Sequence, residues 1–238
     1  IIPMAIYSAL PESMLGLKAS KISKPDGSSG YTLDDNARAL IALSLHYKLY
    51  HIKEDLLLIN TYLNFIKRCQ KPSGTFVNYI DENNFEHIKN SYINLEDSNT
   101  RAVWALGMVI PLKDYLPEYM TEKAIICLME SLPWVKNILS PRAIGFAIKG
   151  LYLCYSVTKQ HDIIYIIEKL ANNLISNYDI TETKNWKWFE NYLTYANSVL
   201  PEAMLYAYLV TGKLNYKNVA LDSFNFLLSK SKPSGSIR

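Results

Sequence analysis

From Asp34 onward apolar residues recur at spacings of three and four, the period of a helix with one face turned to a core. The stretch 38–49, RALIALSLHYKL, is the clearest case, and 55–68 follows as its partner. Later pairs are predicted at 99–110 with 119–131, 141–158 with 162–177, and 199–211 with 215–230. Their connections are short, so each pair reads as an antiparallel hairpin, and the chain as four successive helix–turn–helix units. Strand-like material is scarce. The segment 75–80, TFVNYI, is expected to be a short hairpin arm in a loop.

The helix starts carry local signals. Ser140-Pro141 puts a preferred N-cap before a proline at the first helical position. Thr32-x-x-Asp35 resembles a capping box with Asp in place of Glu. The first helix of each pair is rich in small residues (ARALIAL, RAVWALG, RAIGFAIKG), while the second is bulkier and more charged. Small residues permit close packing, so the first helices are expected to form an inner layer and the second an outer one. That is the pattern of a helical ring or solenoid, an all-α class. An internal echo supports it: KPSG follows the second helix of the first unit at 71–74 and of the fourth at 232–235. The spacing of the units is irregular, which excludes an array of fixed period. The expectation is a single domain over 1–238. The chain does not open on Met and stops where the first unit began its TFVNY segment, which points to a shortened C-terminus.

Composition changes this picture little at first. Of 238 residues, 49% are hydrophobic and 20% charged, enough apolar material for a core and too much for a disordered chain. A net charge of +3 shows no concentrated basic face, so no nucleic-acid partner is expected. No apolar run is long enough to span a bilayer, and no membrane partner is expected. Cys69, Cys127 and Cys154 sit in apolar helical patterns and read as buried thiols. The four His make no metal-ligand pair, so neither metal nor cofactor is expected. A reducing compartment, the cytoplasm, follows as the default location.

One count does change the picture. Of the 25 basic residues only five are Arg. Three of these, Arg38, Arg101 and Arg142, stand at equivalent places in three units, each followed by Ala. A flat fork that stays charged when desolvated is the physical reason to keep Arg in a lysine-rich chain. Each lies in a polar cluster preceding an inner helix. The first holds Asp34, Asp35, Asn36 and Arg38; the second Glu96, Asp97 and Arg101; the third Ser140 and Arg142. The fourth holds Trp186, Trp188, Phe189 and Glu190, with Tyr195 and Asn197 beyond. In a ring of hairpins, equivalent helix starts converge at one end, which would gather these side chains into one pocket. Plainer roles stand beside that one. Asp35 and Asp97 can serve as helix caps, the Arg residues can tie hairpin to hairpin through carboxylates, and the aromatic residues can anchor a loop in the core. Glu202 reads as first-turn helix charge.

Carboxylates, forked donors and flat aromatic faces together suit a sugar. Paired carboxylates are also the minimum for glycoside cleavage, one protonating the leaving oxygen while the other activates water or attacks. On this reading Asp35, Asp97 or Glu190 supplies acid and base. Asp34, Asn36, Arg38, Glu96, Arg101, Arg142, Phe189, Tyr195 and Asn197 orient the substrate, and Trp186 and Trp188 stack on it. Three Arg could instead hold an anionic sugar. A non-catalytic glycan-binding domain and a helical protein-interaction module are the alternatives. Asp34-Asp35 lacks the spacing of an isoprenoid cyclase.

The segments 30–43 (GYTLDDNARALIAL), 96–107 (EDSNTRAVWALG), 140–151 (SPRAIGFAIKGL) and 186–205 (WKWFENYLTYANSVLPEAML) resemble a bacterial family with a six-hairpin, (α/α)-toroid glycosidase-like fold. The resemblance implies a carbohydrate-active domain and the same site positions. It also implies a glycosyltransferase-like domain in the same parent protein. The family pattern has Gly where Thr100 stands and Asp where Ala196 stands, so one candidate acid is missing here.

Overall fold

A computed structural model describes residues 20–21, 24–25, 30–81, 83 and 85–231. Within them four helical hairpins follow one another: α1 (Leu33–Tyr50) with α2 (Lys53–Cys69), α3 (Glu96–Val109) with α4 (Glu118–Val135), α5 (Pro141–Thr158) with α6 (His161–Thr181), and α7 (Val199–Thr211) with α8 (Leu214–Ser231). The first helices of the hairpins pack side by side in the order α1, α3, α5, α7, and each is backed by its own second helix. The layered arrangement expected from the small-residue pattern is therefore present. Its tightest point is where α3 meets α5. A methyl group added to Gly107 would come within 2.5 Å of the Gly150 carbonyl oxygen, and one added to Gly150 within 2.4 Å of the Val103 oxygen. Larger side chains would force these helices apart.

The core lies mainly between the two layers. Leu40, Leu106, Ile144 and Leu200 of the inner helices and Leu63, Leu128, Ile167 and Leu170 of the outer ones are wholly or almost wholly buried. All three cysteines are free and buried there. Burial pushes the Cys69 thiol up to about 12 and those of Cys127 and Cys154 to about 11, which makes them poor nucleophiles.

Hairpin turns close on left-handed residues, His51 (φ 52°), Lys159 (φ 55°) and Gly212 (φ 71°). Two helices begin earlier than periodicity predicts. Asp34, Asp35, Asn36 and Arg38 lie in the first turns of α1, and Glu96–Arg101 in those of α3, rather than in preceding loops. The cause in α1 is the Thr32 cap: its Oγ1 accepts from the Asp35 backbone N–H. Outer helices run longer than predicted, α4 carrying Pro133 and α6 reaching Thr181.

The TFVNYI segment is a short hairpin arm, as expected, with Ile80 bridging to Glu86 and the His87 N–H donating to the Tyr79 carbonyl (3.0 Å). Tyr79–Ile80 pairs antiparallel with Tyr31–Thr32, just ahead of α1, and Phe76 bridges to Gln70. Three asparagines hold it there. Asn99 takes both the N–H and the carbonyl of Phe76 (2.6 and 2.8 Å), Asn78 accepts from the Asp34 N–H (3.0 Å), and Asn90 binds the backbone of Asn78 and Tyr79. The first KPSG turn needs its glycine: Gly74 has φ 81°, and a methyl group there would sit 1.9 Å from the Glu130 oxygen. The second KPSG turn, at 232–235, and the C-terminal expectation lie outside the described residues. No described helix is long and apolar enough to cross a membrane.

Candidate functional site

Antiparallel hairpins make α1, α3, α5 and α7 run in one direction, so their first turns share one end of the inner layer. There the polar side chains form a chain of contacts. On α1, Asp34 receives Arg38 from its own helix (2.8 Å) and Arg101 from α3. On α5, Arg142 uses its whole fork. Nε donates to the Tyr195 carbonyl (2.7 Å), Nη1 to both oxygens of Glu190 (2.6 and 2.8 Å), and Nη2 to Asn197 Oδ1 (3.0 Å). Lysine could not make this set from one ammonium. The pair is withdrawn from water, with Arg142 and Glu190 side chains only 5% and 12% exposed.

Asp97 stands between these two pairs. The Tyr195 hydroxyl donates to its Oδ2 and the Ser140 hydroxyl to its Oδ1 (3.0 Å). Burial raises its pKa above the ordinary value. The Ser140 hydrogen bond and the charges of Arg101 and Arg142 oppose the rise, and Asp34 adds to it. A carboxyl that holds its proton more strongly than usual, beside a Tyr hydroxyl and two guanidinium groups, is suited to donate that proton.

Several expected site residues have other employment. Asp35 receives the Thr32 hydroxyl and is part of the α1 cap. Asn36 is fully buried and donates to the Thr32 carbonyl (2.7 Å). Glu96 accepts from the backbone N–H groups of Leu139 and Ser140 (3.3 and 2.8 Å), at the start of α5. Ser140 occupies the N-cap position, yet its hydroxyl goes to Asp97 instead of capping α5. Arg101 ties α3 to α1, and Arg142 ties α5 to the 190–197 loop.

The aromatic expectation needs correction. Trp188 is fully buried, its indole N–H without a partner among the described residues, and Phe189 is buried beside it. Phe189 meets Tyr178 of α6 (5.5 Å), and Trp188 and Trp186 meet Phe226 of α8 (6.3 and 4.9 Å). Trp186 also donates to the Glu190 carbonyl (2.7 Å). These rings anchor the loop that presents Glu190, and Trp188 and Phe189 offer no face to a ligand. The aromatic residues at the cluster are instead Tyr195, 51% exposed, and Phe146, whose ring lies 4.6 Å from the Arg101 guanidinium. Beside Tyr195, Ala196 adopts φ 48°, a left-handed conformation that Asp or Asn adopts more readily than Ala. It is the position where the resembling family has Asp. Among the described residues no group of three His, Cys, Asp or Glu is placed to hold a metal ion.

Comparison with known proteins adds the architecture. No family model matches the chain, and no curated protein matches it in sequence. Among solved structures it is similar to cellobiose 2-epimerase from Bacillus thermoamylovorans B4167, with a TM-score of 0.66 at 12% identity over 87% of this chain. It is equally similar to a D-mannose isomerase, with a TM-score of 0.66 at 12% identity over 90% of this chain. The fold is an α/α toroid. The four described hairpins are consecutive members of that ring, and the chain spans 63% of the length of either structure. At this identity the likeness speaks for the fold alone.

Some of this could have been read earlier. Phe146 and Trp104 continue the stripes Arg142–Phe146 and Asp97–Arg101–Trp104 at helical spacing, so the same periodicity that found the helices marks them as neighbours of the Arg residues. The roles of Asn78, Asn90 and Asn99 had no such signal, because they bind backbone from distant segments.

Proposed function

We propose that this toroid is a carbohydrate-active domain of glycoside-hydrolase type, acting on an oligosaccharide at the shared end of its inner helices. Asp97 is the proton donor and Glu190 the second carboxylate. Arg38, Arg101 and Arg142 are the forked donors, and Tyr195 is the exposed ring. Asp35 is left out of the reaction because it belongs to the α1 cap, its carboxylate and its backbone N–H both paired with Thr32. One observation carries the reading. Unlike Asp34 and Glu190, Asp97 is paired to the hydroxyls of Ser140 and Tyr195 rather than to a guanidinium, and burial raises its proton affinity. The sugar class is supported by the similar toroids, one a cellobiose epimerase and the other a mannose isomerase. Cleavage requires a proton on the leaving oxygen from Asp97 and activation of water, or direct attack, by Glu190. Release of reducing ends from an oligosaccharide panel tests it. Asp97→Asn and Glu190→Gln should abolish turnover while the wild-type chain retains it.

The ion pairing of Glu190 favours a second reading, a glycan-binding domain without turnover. Both Glu190 and Asp34 are committed to Arg, which leaves Asp97 without a carboxylate free to assist it. On that reading the wild-type chain binds sugar and releases no product, and the same variants alter affinity alone. A glycosyltransferase domain in the parent protein belongs with this reading, and the full reading frame tests it.

A further inference from the structure

Below the end cluster the concave face of the inner layer carries a second set of polar and aromatic groups. Lys149 lies seven residues after Arg142 on α5, two turns or about 10 Å further along the axis. Its side chain is only 10% exposed. The ammonium sits 3.8 Å from the centre of the Trp104 ring and 2.8 Å from Glu202 of α7. Trp104 in turn stacks on Phe146 (5.8 Å), which carries the Arg101 guanidinium. Glu202 is 40% exposed and faces Tyr206, whose phenol is held protonated by burial and by that carboxylate. Tyr206 stacks on Tyr152 (4.3 Å), and both rings are half-buried. A continuous strip thus runs from Arg101 through Phe146 and Trp104 to Lys149, Glu202 and the paired tyrosines.

As a structural pair alone, Lys149 and Glu202 would be a costly choice in a helix interface that apolar residues could fill. A buried ammonium fixing a half-exposed carboxylate beside two stacked phenol rings makes a preorganised hydroxyl acceptor next to an aromatic platform.

We propose that Glu202, Tyr206 and Tyr152, with Lys149 fixing Glu202, form a second saccharide subsite on the concave face. The ligand is then an oligosaccharide that runs from the Asp97 end down the inner layer. This rests on the carbohydrate reading given above and assigns a place to a further ring of that oligosaccharide. Glu202 opens α7 but is held by Lys149, about two turns along α5 from Arg142, where the next ring of the same chain meets it. Tyr152 and Tyr206 stack on its C–H face, and Glu202 accepts its hydroxyl protons. Lys149 acts through Glu202 and is a positioning residue.

The test is calorimetric titration of the wild-type chain, Glu202→Gln and Tyr206→Ala with gluco- and manno-configured saccharides of one, two and four residues. Thermal melts of each variant confirm folding. Both variants are expected to lose about tenfold in affinity for the longer saccharides and to bind the monosaccharide as the wild type does. Wild-type affinity that does not depend on length, or variants that leave every affinity unchanged, overturns the second subsite and leaves the Asp97 reading standing. Failure of the wild-type chain to bind any of these saccharides overturns both.

Discussion

Arg142 shows at the scale of one residue why this lysine-rich chain keeps an arginine. Its fork satisfies a buried carboxylate, a backbone carbonyl and an amide at once, which a point charge cannot do. Removing it should strand Glu190 with little access to water. Arg142→Met is therefore expected to cost about 3 kcal/mol in urea unfolding, and adding Glu190→Gln should recover part of that loss. Asp97 gives a pH signature. Its folded pKa lies above the ordinary 3.8, so between the two values the folded chain holds more protons than the unfolded one. The contribution of Asp97 to stability is full below 3.8 and is lost as pH rises through the raised value. Urea melts across that range should show the wild-type advantage over Asp97→Asn shrinking as pH rises and then levelling off. A difference that stays flat, or that grows with pH, would contradict the burial argument.

Among elements, the inner helices are legible in sequence and the loops are not. The run RALIALSLHYKL announces an amphipathic helix and the small residues of RAIGFAIKG a closely packed one, because burial and close approach act through spacings of three and four. Helix starts were harder. Thr32-x-x-Asp35 marks the start of α1, but Glu96–Arg101 reads as a polar loop, since α3 has no side-chain cap and charge in a first turn and charge in a loop look alike along the chain. The WKWFE segment was misleading for a related reason. Two indoles beside a carboxylate resemble a sugar platform, but both rings pack against Phe226 of α8, a partner remote in sequence. The Gly107–Gly150 approach allows a direct check of the inner layer. Gly150→Ala would place a methyl group 2.4 Å from backbone, so it should cost about 1–3 kcal/mol by the same unfolding measurement. A neutral substitution there would mean that α3 and α5 do not touch as described.

For the whole molecule, one consequence of the topology dominates. Hairpins joined by short turns make every inner helix start at the same end, so polar residues 34, 97, 101 and 142, scattered along the chain, meet in one cluster. The Arg positions were readable from sequence but not their environments, Arg38 being exposed and paired within its own helix while Arg101 and Arg142 are buried and pair across elements. Their partners, and the descent of the concave face toward Lys149 and Glu202, depend on how neighbouring hairpins are rotated, which no local pattern encodes. The central claim is that this shared end receives a sugar. Tyr195 is the most direct place to test it, because it is exposed, contacts Asp97 and lies over the Arg142 guanidinium at 5.2 Å. Calorimetric titration of the wild-type chain and Tyr195→Ala against a panel of hexose saccharides should show binding that weakens by about tenfold in the variant. Equal affinities in the two proteins, or no binding by the wild-type chain, would contradict it.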